Sequence, residues 1–193
     1  MKQEKVKKQI IEAANVRFEK YGYGKTTMAE IARDCGMTAG NLYRYFPGKA
    51  DIITEIAQGC FVGRLDVLKK ASKSSDCLET VLGNMVIANL EYMHGIFSQQ
   101  VHIHELIEFI TGQRRELLQQ HMTDVKTVIA GIVQKGVESG EFVSNDPMRT
   151  AETFFNANIK FFAPHFMVIF PLEELKREAG DVVVLLINGL KKR

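Results

Sequence analysis

A short stretch of chain ending at Lys49 concentrates side chains that can form hydrogen bonds with nucleic acid. Asn41 and Arg44 carry the amide and guanidinium groups that make paired hydrogen bonds with the edges of adenine and guanine. Tyr43 and Tyr45 carry hydroxyl groups, and Lys49 carries an ammonium group, that can donate to phosphate oxygens. The segment therefore predicts contact with double-stranded DNA through both its bases and its backbone.

Two short helices separated by a glycine are expected to position these side chains. Thr27 and Glu30 have the spacing of a capping box, which predicts the start of the first helix. Gly36 follows at the place where a helix end favours a positive φ, and Thr38 can cap the second helix. The side chains of the second helix that do not face inward are predicted to meet DNA. The predicted DNA-binding residues are Thr27, Thr38, Ala39, Gly40, Asn41, Tyr43, Arg44, Tyr45 and Lys49.

The charge distribution supports this interpretation. Residues 1–50 contain ten Lys and Arg and five Asp and Glu, whereas the remaining 143 residues contain fifteen and eighteen. The first fifty residues thus carry a net +5 and the rest a net −3, within a total of +2. A basic segment attached to a slightly acidic one is typical of a nucleic-acid-binding protein with a separate regulatory part.

Residues 10–52, IIEAANVRFEKYGYGKTTMAEIARDCGMTAGNLYRYFPGKADI, resemble the DNA-binding domain of the TetR (tetracycline repressor-like) family of bacterial regulators. The resemblance covers about a quarter of the chain and departs at Tyr45, where many members carry histidine. It implies an all-helical homodimer that represses a promoter and releases DNA when it binds a small molecule. The positions that carry the resemblance are Ala13, Ala14, Phe18, Gly22, Thr26, Thr27, Ile31, Ala32, Gly36, Gly40, Leu42, Tyr43, Tyr45, Phe46 and Lys49.

The predicted fold class is all-α with two domains: a three-helix helix-turn-helix domain over residues 1–48 and a larger helical domain over 49–193, for effector binding and dimerisation. Asp76 with Glu79 predicts the cap of a helix that ends at Gly95, and Pro164 is expected to end a later helix. The chain has no apolar run that could span a bilayer and begins with a charged segment instead of a signal peptide. Its three cysteines are widely spaced, which favours reduced thiols and a cytoplasmic location.

The last two helices, at about 148–163 and 172–190, are predicted to form a homodimer by pairing into a four-helix bundle. The alternative is that their apolar faces pack within their own chain. A two-fold dimer would place its recognition helices about 34 Å, or one DNA turn, apart and favour a palindromic operator.

The larger domain is expected to bind a small, largely apolar effector, whose polar end could meet a histidine or Asn158. His104 and Glu108 lie one helical turn apart and could share a metal ion, but a pair supplies too few ligands, so neither a metal nor another cofactor is predicted. The predicted effector-binding residues are Phe61, Met85, Met93, Phe97, His104, Phe109, Met122, Phe155, Asn158 and Phe162.

These inferences predict a ligand-responsive transcriptional regulator, most readily a repressor, in which the effector shifts the helix beginning at Lys49 and so moves the recognition helices. Two alternatives remain open at this point. One is a DNA-binding protein without sequence preference, such as a nucleoid or adaptor protein. The other is a metal-dependent helical hydrolase that uses His104 and Glu108.

Overall fold

The computed structural model describes residues 2–74 and 76–191, apart from the side chain of Lys2. The predicted domains begin at residue 1 and end at residue 193, and residues 1, 192 and 193 lie outside the described part of the chain. Its architecture is all-α, as predicted. No helix in the described part of the chain is long and apolar enough to cross a membrane. The helices are α1 (Lys2–Tyr21), α2 (Met28–Asp34), α3 (Ala39–Tyr43), α4 (Lys49–Ala71), α5 (Leu78–Phe97), α6 (Ile103–Gln113), α7 (Arg115–Ser139), α8 (Pro147–Ala157), α9 (Pro164–Ile169) and α10 (Leu172–Leu190), with a 3-10 helix at Ile159–Phe161.

The chain divides into two compact units. The N-terminal unit contains the residues up to Phe61 together with Gln100–Leu118, and the C-terminal unit contains Val62–Gln99 together with the residues from Gln119 onward. The helices α4 and α7 each begin in the N-terminal unit and end in the C-terminal unit. The predicted boundary after residue 48 therefore falls inside the N-terminal unit, which also includes the first half of α4 and the whole of α6.

The helix-turn-helix forms for the local reasons that the sequence indicates. The hydroxyl of Thr27 accepts from the backbone N–H of Glu30 at 3.3 Å, and the carboxylate of Glu30 accepts from the N–H of Thr27 at 2.9 Å, which completes the capping box. Gly36 has a φ of 66°, a conformation that glycine adopts without steric cost. Leu42 and Phe46 are 0% and 2% exposed, and they anchor α3 on α1 and α2.

Helix α6 contributes to the core of the N-terminal unit. The Phe109 ring lies 5.3 Å from the ring of Tyr23, between centroids, and Ile110 belongs to the same buried cluster. The carboxylate of Glu105 accepts from the N–H of Gly24 at 2.7 Å, in the loop that leads to the helix-turn-helix. Helix α6, which lies far along the chain from the helix-turn-helix, is thus part of the structure that positions α2 and α3.

In the C-terminal unit, the residue that caps the start of α5 differs from the predicted one. Its N-cap residue is Cys77, and the N–H of Leu78 is satisfied by the carboxylate of Glu141 at 3.2 Å, so the predicted Asp76 cap is wrong. Asp76 instead pairs with the hydroxyl of Ser74.

The predicted break of α5 at Gly95 is also wrong, because the helix continues to Phe97. Burial of the residues on either side of this glycine outweighs its low helix propensity, which costs about 1 kcal/mol.

Helix α8 ends at Ala157, six residues earlier than predicted, and the chain tightens into the 3-10 helix. The side-chain amide of Asn158 donates to the carbonyl of Phe154 at 2.9 Å, and the backbone N–H of Asn158 also reaches that carbonyl. Such local side-chain bonds compete with helix continuation. Pro164 then begins α9, because proline lacks the N–H that a continuing helix needs but fits the first turn of a new one.

Three buried polar side chains join α4, α5, α7 and the 3-10 segment in the interior of the C-terminal unit. Arg64 donates to the side-chain oxygen of Asn89 at 2.7 Å and to the carbonyl of Phe162 at 2.9 Å, and it lies 3.4 Å from Nε2 of His121. Asn89 in turn donates to the carbonyl of Phe161 at 2.7 Å. These bonds satisfy the backbone carbonyls at the end of the 3-10 helix.

The two glycines of α7 predict opposite responses to the same substitution. A methyl group at Gly136 would overlap the ring of Phe142, which is 4% exposed, whereas a methyl group at Gly131 meets nothing within 4 Å. Gly136→Ala is expected to lower the free energy of unfolding by about 1–3 kcal/mol through overpacking. Gly131→Ala should leave it unchanged or raise it by up to about 1 kcal/mol. Urea denaturation of both variants measures the difference, and equal effects would contradict the packing assigned to Phe142.

The environment of His121 predicts a loss of stability in mild acid. Burial, with a further contribution from Arg64, lowers the pKa of His121 to about 4, whereas a histidine in the unfolded chain has a pKa near 6.5. Between these values the unfolded state binds a proton that the folded state does not, so stability falls as the pH drops from 6.5 toward 4. The expected loss between pH 7 and pH 5 is about 2 kcal/mol.

His121→Gln removes this titration and provides the comparison. The difference in unfolding free energy between the parent protein and the variant should change by about 2 kcal/mol from pH 7 to pH 5, at a fixed protein concentration. A difference that does not depend on pH would show that His121 is not held neutral.

Candidate DNA-binding surface and effector region

Helix α3 and its C-cap carry the two predicted base-reading side chains, the half-buried Asn41 and the exposed Arg44. The hydroxyl of Thr38 accepts from the N–H of Asn41 at 3.3 Å and fixes the start of the helix. Arg44 is exposed at its C-cap, and the Tyr43 side chain is 52% exposed. Tyr45 is half-buried against the core of the unit. The side chains with the freest access to a ligand are therefore those of Tyr43 and Arg44.

Ion pairs fasten α2 to α1 behind this surface. Nε of Arg17 donates to Oδ2 of Asp34 at 2.6 Å, and Nη1 of Arg17 lies 3.3 Å from Oε1 of Glu30. Hydrogen bonds from Thr27 lower the pKa of Glu30, and the hydrogen bond from Arg17 lowers the pKa of Asp34. Both carboxylates offset the charge of Arg17, so the positive charge available to phosphate comes from other exposed basic residues.

Lys49 has a structural role that sequence reasoning did not identify. Its ammonium group donates to the carbonyls of Tyr23 and Thr26 at 2.5 and 2.7 Å and lies 4.2 Å from the centroid of the Tyr23 ring. Burial lowers the pKa of Lys49, while Glu105 and Glu30 act in the opposite direction. Lys49 therefore holds the loop before α2 against the start of α4. Its predicted phosphate contact stays a prediction.

The predicted effector-binding residues fall into both units. Phe61, His104 and Phe109 belong to the N-terminal unit, where Phe109 is a core residue and His104 is exposed. The remaining seven residues belong to the C-terminal unit, and all but the half-buried Met122 are buried. These seven are Met85, Met93, Phe97, Met122, Phe155, Asn158 and Phe162.

The buried polar cluster contains three residues that the sequence prediction did not single out: Arg64, Asn89 and His121. A signal for Arg64 was present, because it shares the buried stripe of α4 with Ala57 and Leu68, at helical spacing. An arginine on an otherwise apolar stripe needs a polar partner in the interior. Which partner it meets depends on α5, α7 and the 3-10 segment, and local spacing does not reveal it.

In the described part of the chain, the fold adds no third metal ligand to His104 and Glu108. Both side chains are exposed, and in residues 2–74 and 76–191 no group of three or more His, Cys, Asp and Glu side chains is placed to hold an ion.

Comparisons with known proteins agree with this architecture. Residues 10–56 match the family described as bacterial regulatory proteins, tetR family, and residues 76–183 match the tetracyclin repressor-like C-terminal domain. The fatty acid metabolism regulator protein of Bacillus subtilis (strain 168) is 23% identical over 199 residues, covering 100% of both chains.

Two solved structures show the same fold. A TetR-family regulator from Mesorhizobium loti matches with a TM-score of 0.79 at 18% identity, covering 100% of both chains. SmeT, the repressor of a Stenotrophomonas maltophilia multidrug efflux pump, matches in its complex with triclosan with a TM-score of 0.70 at 18% identity, covering 97% of this chain and 92% of SmeT. Because the family matches account for both the helix-turn-helix and more than half of the chain, the protein belongs to the TetR family of bacterial transcriptional regulators.

Proposed function

We propose that the protein is a repressor that binds a palindromic operator as a homodimer and releases it on binding a small, largely apolar effector. The observation that carries this proposal is the capped helix-turn-helix with Tyr43 and Arg44 exposed on α3. The similarity to a regulator of fatty acid metabolism and to a repressor that binds triclosan supports an apolar effector. We expect this activity in the bacterial cytoplasm, because the proposed target is DNA.

The alternatives have less support. A DNA-binding protein without sequence preference would not need side chains that make paired hydrogen bonds with base edges, yet Arg44 is exposed at the end of α3. A metal-dependent hydrolase would need ligands beyond His104 and Glu108, and in the described residues no such group forms.

The proposed dimer interface uses the outward faces of the last helices. The stripe of Leu175, Ala179 and Val183 on α10 is buried within the C-terminal unit, so it is not available to a partner. A second apolar face of α10 remains outside, where Val184 and Leu185 are 53% and 73% exposed. Most of the apolar residues of α8 are likewise packed inside their own chain. The proposal therefore combines the two alternatives: the buried face of α10 packs within its own chain, and the outward face is assigned to the dimer.

The proposed switch acts through α4. This helix is unbroken from Lys49 to Ala71, with its first thirteen residues in the N-terminal unit and its last ten in the C-terminal unit. A displacement of its C-terminal part is therefore carried along a hydrogen-bonded helix to Lys49 and the loop it holds. The effector releases DNA only if it binds the DNA-incompetent arrangement more tightly than the DNA-binding one.

Substitutions on α3 are expected to separate sequence reading from phosphate binding. Arg44→Ala and Asn41→Ala should each lower the preference for operator over scrambled DNA by about 1–3 kcal/mol, because each loses hydrogen bonds to a base edge. Fluorescence anisotropy with DNA from upstream of the gene and with a scrambled control, across a salt series, measures both quantities. Equal loss on both DNAs would contradict the base-reading role.

Lys49→Ala tests whether the lysine acts on DNA or on the loop. Because its ammonium group bonds to two carbonyls, the variant should lose about 1–3 kcal/mol of unfolding free energy. If Lys49 also contacts phosphate, the slope of log affinity against log salt concentration should flatten by about 1. If the Lys49→Ala variant is less stable but keeps the full salt slope, Lys49 has the structural role alone.

The outward face of α10 is expected to control the oligomeric state. Leu185→Asp places a charge in the proposed interface and should convert the dimer to a monomer while its helical content is retained. Val16→Asp is the matched control, because Val16 is 64% exposed on α1 of the other unit. Analytical ultracentrifugation should give a monomer for the first variant only. A dimer in both would place the interface elsewhere.

A further inference from the structure

We propose that the start of α1, with Lys7 at its centre, is a second phosphate-binding surface that meets the DNA backbone beside the groove entered by α3. This inference rests on the proposed function and extends its DNA contact beyond the helix-turn-helix, since none of the predicted DNA-binding residues lies on α1. The surface consists of Lys5, Lys7 and Lys8, which are all exposed and belong to the N-terminal unit.

The contact between Lys7 and Phe46 places this surface at the end of α3. The ammonium nitrogen of Lys7 lies 5.4 Å from the centroid of the Phe46 ring. Phe46 follows Arg44, the C-cap residue of α3, by two positions, and it is buried, so the exposed lysine covers it on the solvent side. The charge of Lys7 is therefore held next to the end of the helix at which Arg44 is exposed.

The docking of a recognition helix indicates what this charge meets. In helix-turn-helix proteins the second helix lies in the major groove, and its N-terminal residues contact base edges. Helix α3 has five residues and a length of about 7.5 Å, whereas the major groove is about 12 Å wide. A cation beyond the C-terminal end of so short a helix is therefore within reach of the phosphates that border the groove. Lysine suits such a contact because its ammonium group is a point charge on a flexible stem.

The charges of this surface are unfavourable for α1 itself. They lie in its first two turns, where the backbone N–H groups carry a partial positive charge and cations are destabilising. The ammonium nitrogen of Lys8 lies 3.9 Å from a carboxylate oxygen of Glu12, but both side chains are largely exposed, so this ion pair contributes little. Departures from a local rule are expected at functional positions. An anionic partner accounts for three cations at the helix end that disfavours them.

Two other basic residues of the N-terminal unit are held by groups of that unit. The guanidinium group of Arg17 pairs with two carboxylates, and the ammonium group of Lys49 donates to two backbone carbonyls. Lys7 instead lies over an aromatic ring, which attracts its charge without replacing a phosphate oxygen as acceptor. The start of α1 therefore supplies charge that these two residues spend within the fold.

The test measures how DNA affinity depends on salt in three full-length variants. Lys7→Gln removes one charge from the surface. Lys69→Gln removes the same charge from an exposed position in the last turn of α4, in the C-terminal unit, and is the matched control. Lys7→Arg retains the charge. Fluorescence anisotropy is measured with DNA from upstream of the gene and with a scrambled control, over a range of about 50 to 200 mM salt.

Loss of one phosphate contact should flatten the slope of log affinity against log salt concentration by about 0.9 for each bound protomer. We expect this change for Lys7→Gln on both DNAs alike, because phosphates carry no sequence information. Lys69→Gln and Lys7→Arg should keep the slope of the parent protein. Equal slopes for Lys7→Gln and Lys69→Gln, with both variants folded by circular dichroism, would overturn the proposal.

Chemical labelling locates the contact in the unaltered protein. An acetylating reagent modifies exposed amino groups, and a lysine that is bound to phosphate reacts more slowly. When DNA is bound, acetylation of Lys7 should slow, whereas that of Lys69 should not change; mass spectrometry of the digested protein measures both rates. Acetylation of Lys7 at its DNA-free rate would also overturn the proposal.

The outcome for this surface and the outcome for the proposed function are distinguishable. Preference for upstream over scrambled DNA, with the salt slope unchanged in Lys7→Gln, would overturn the surface and leave the repressor function intact. A flattened slope in Lys7→Gln without preference for either DNA would support the surface and overturn the repressor function.

Discussion

The C-terminal unit depends on the guanidinium group of Arg64, which joins four segments at one buried point. It bonds to Asn89 on α5 and to the carbonyl of Phe162 after the 3-10 helix, and it lies beside His121 on α7. A charged group in the interior is tolerated only when its donors are matched by acceptors in good geometry. The positions of these four segments are therefore coupled.

The N-terminal unit meets a comparable requirement in the loop between α1 and α2. Lys49 bonds to two carbonyls of this loop, and Glu105 accepts from the N–H of Gly24. Lys49 belongs to α4 and Glu105 to α6, and a domain boundary after residue 48 would assign both helices to the larger domain. The loop that leads to the helix-turn-helix is thus held by α4 and α6. The proposed regulation has two covalent routes into this unit, because α4 and α7 both run from one unit into the other.

Local chemistry explains which elements were predictable. The capping box at Thr27, the positive φ at Gly36 and the cap at Thr38 depend on neighbouring residues, and all three were confirmed. The Asp76 cap and the Gly95 break were wrong because partners remote in sequence decide them. Glu141 satisfies the start of α5, and burial of Met93 and Phe97 carries that helix past its glycine.

The sequence by itself determined the helix-turn-helix and the all-α class, because both follow from the spacing of side chains within one or two helical turns. Tertiary structure decided that α6 belongs with the DNA-binding helices, that Lys49 faces two carbonyls, and that Arg64 meets Asn89 and His121 in the interior. The physical reason is that a buried charge takes its partners from whichever segments pack around it. Those segments are separated along the chain by 25 residues for Asn89 and 57 for His121.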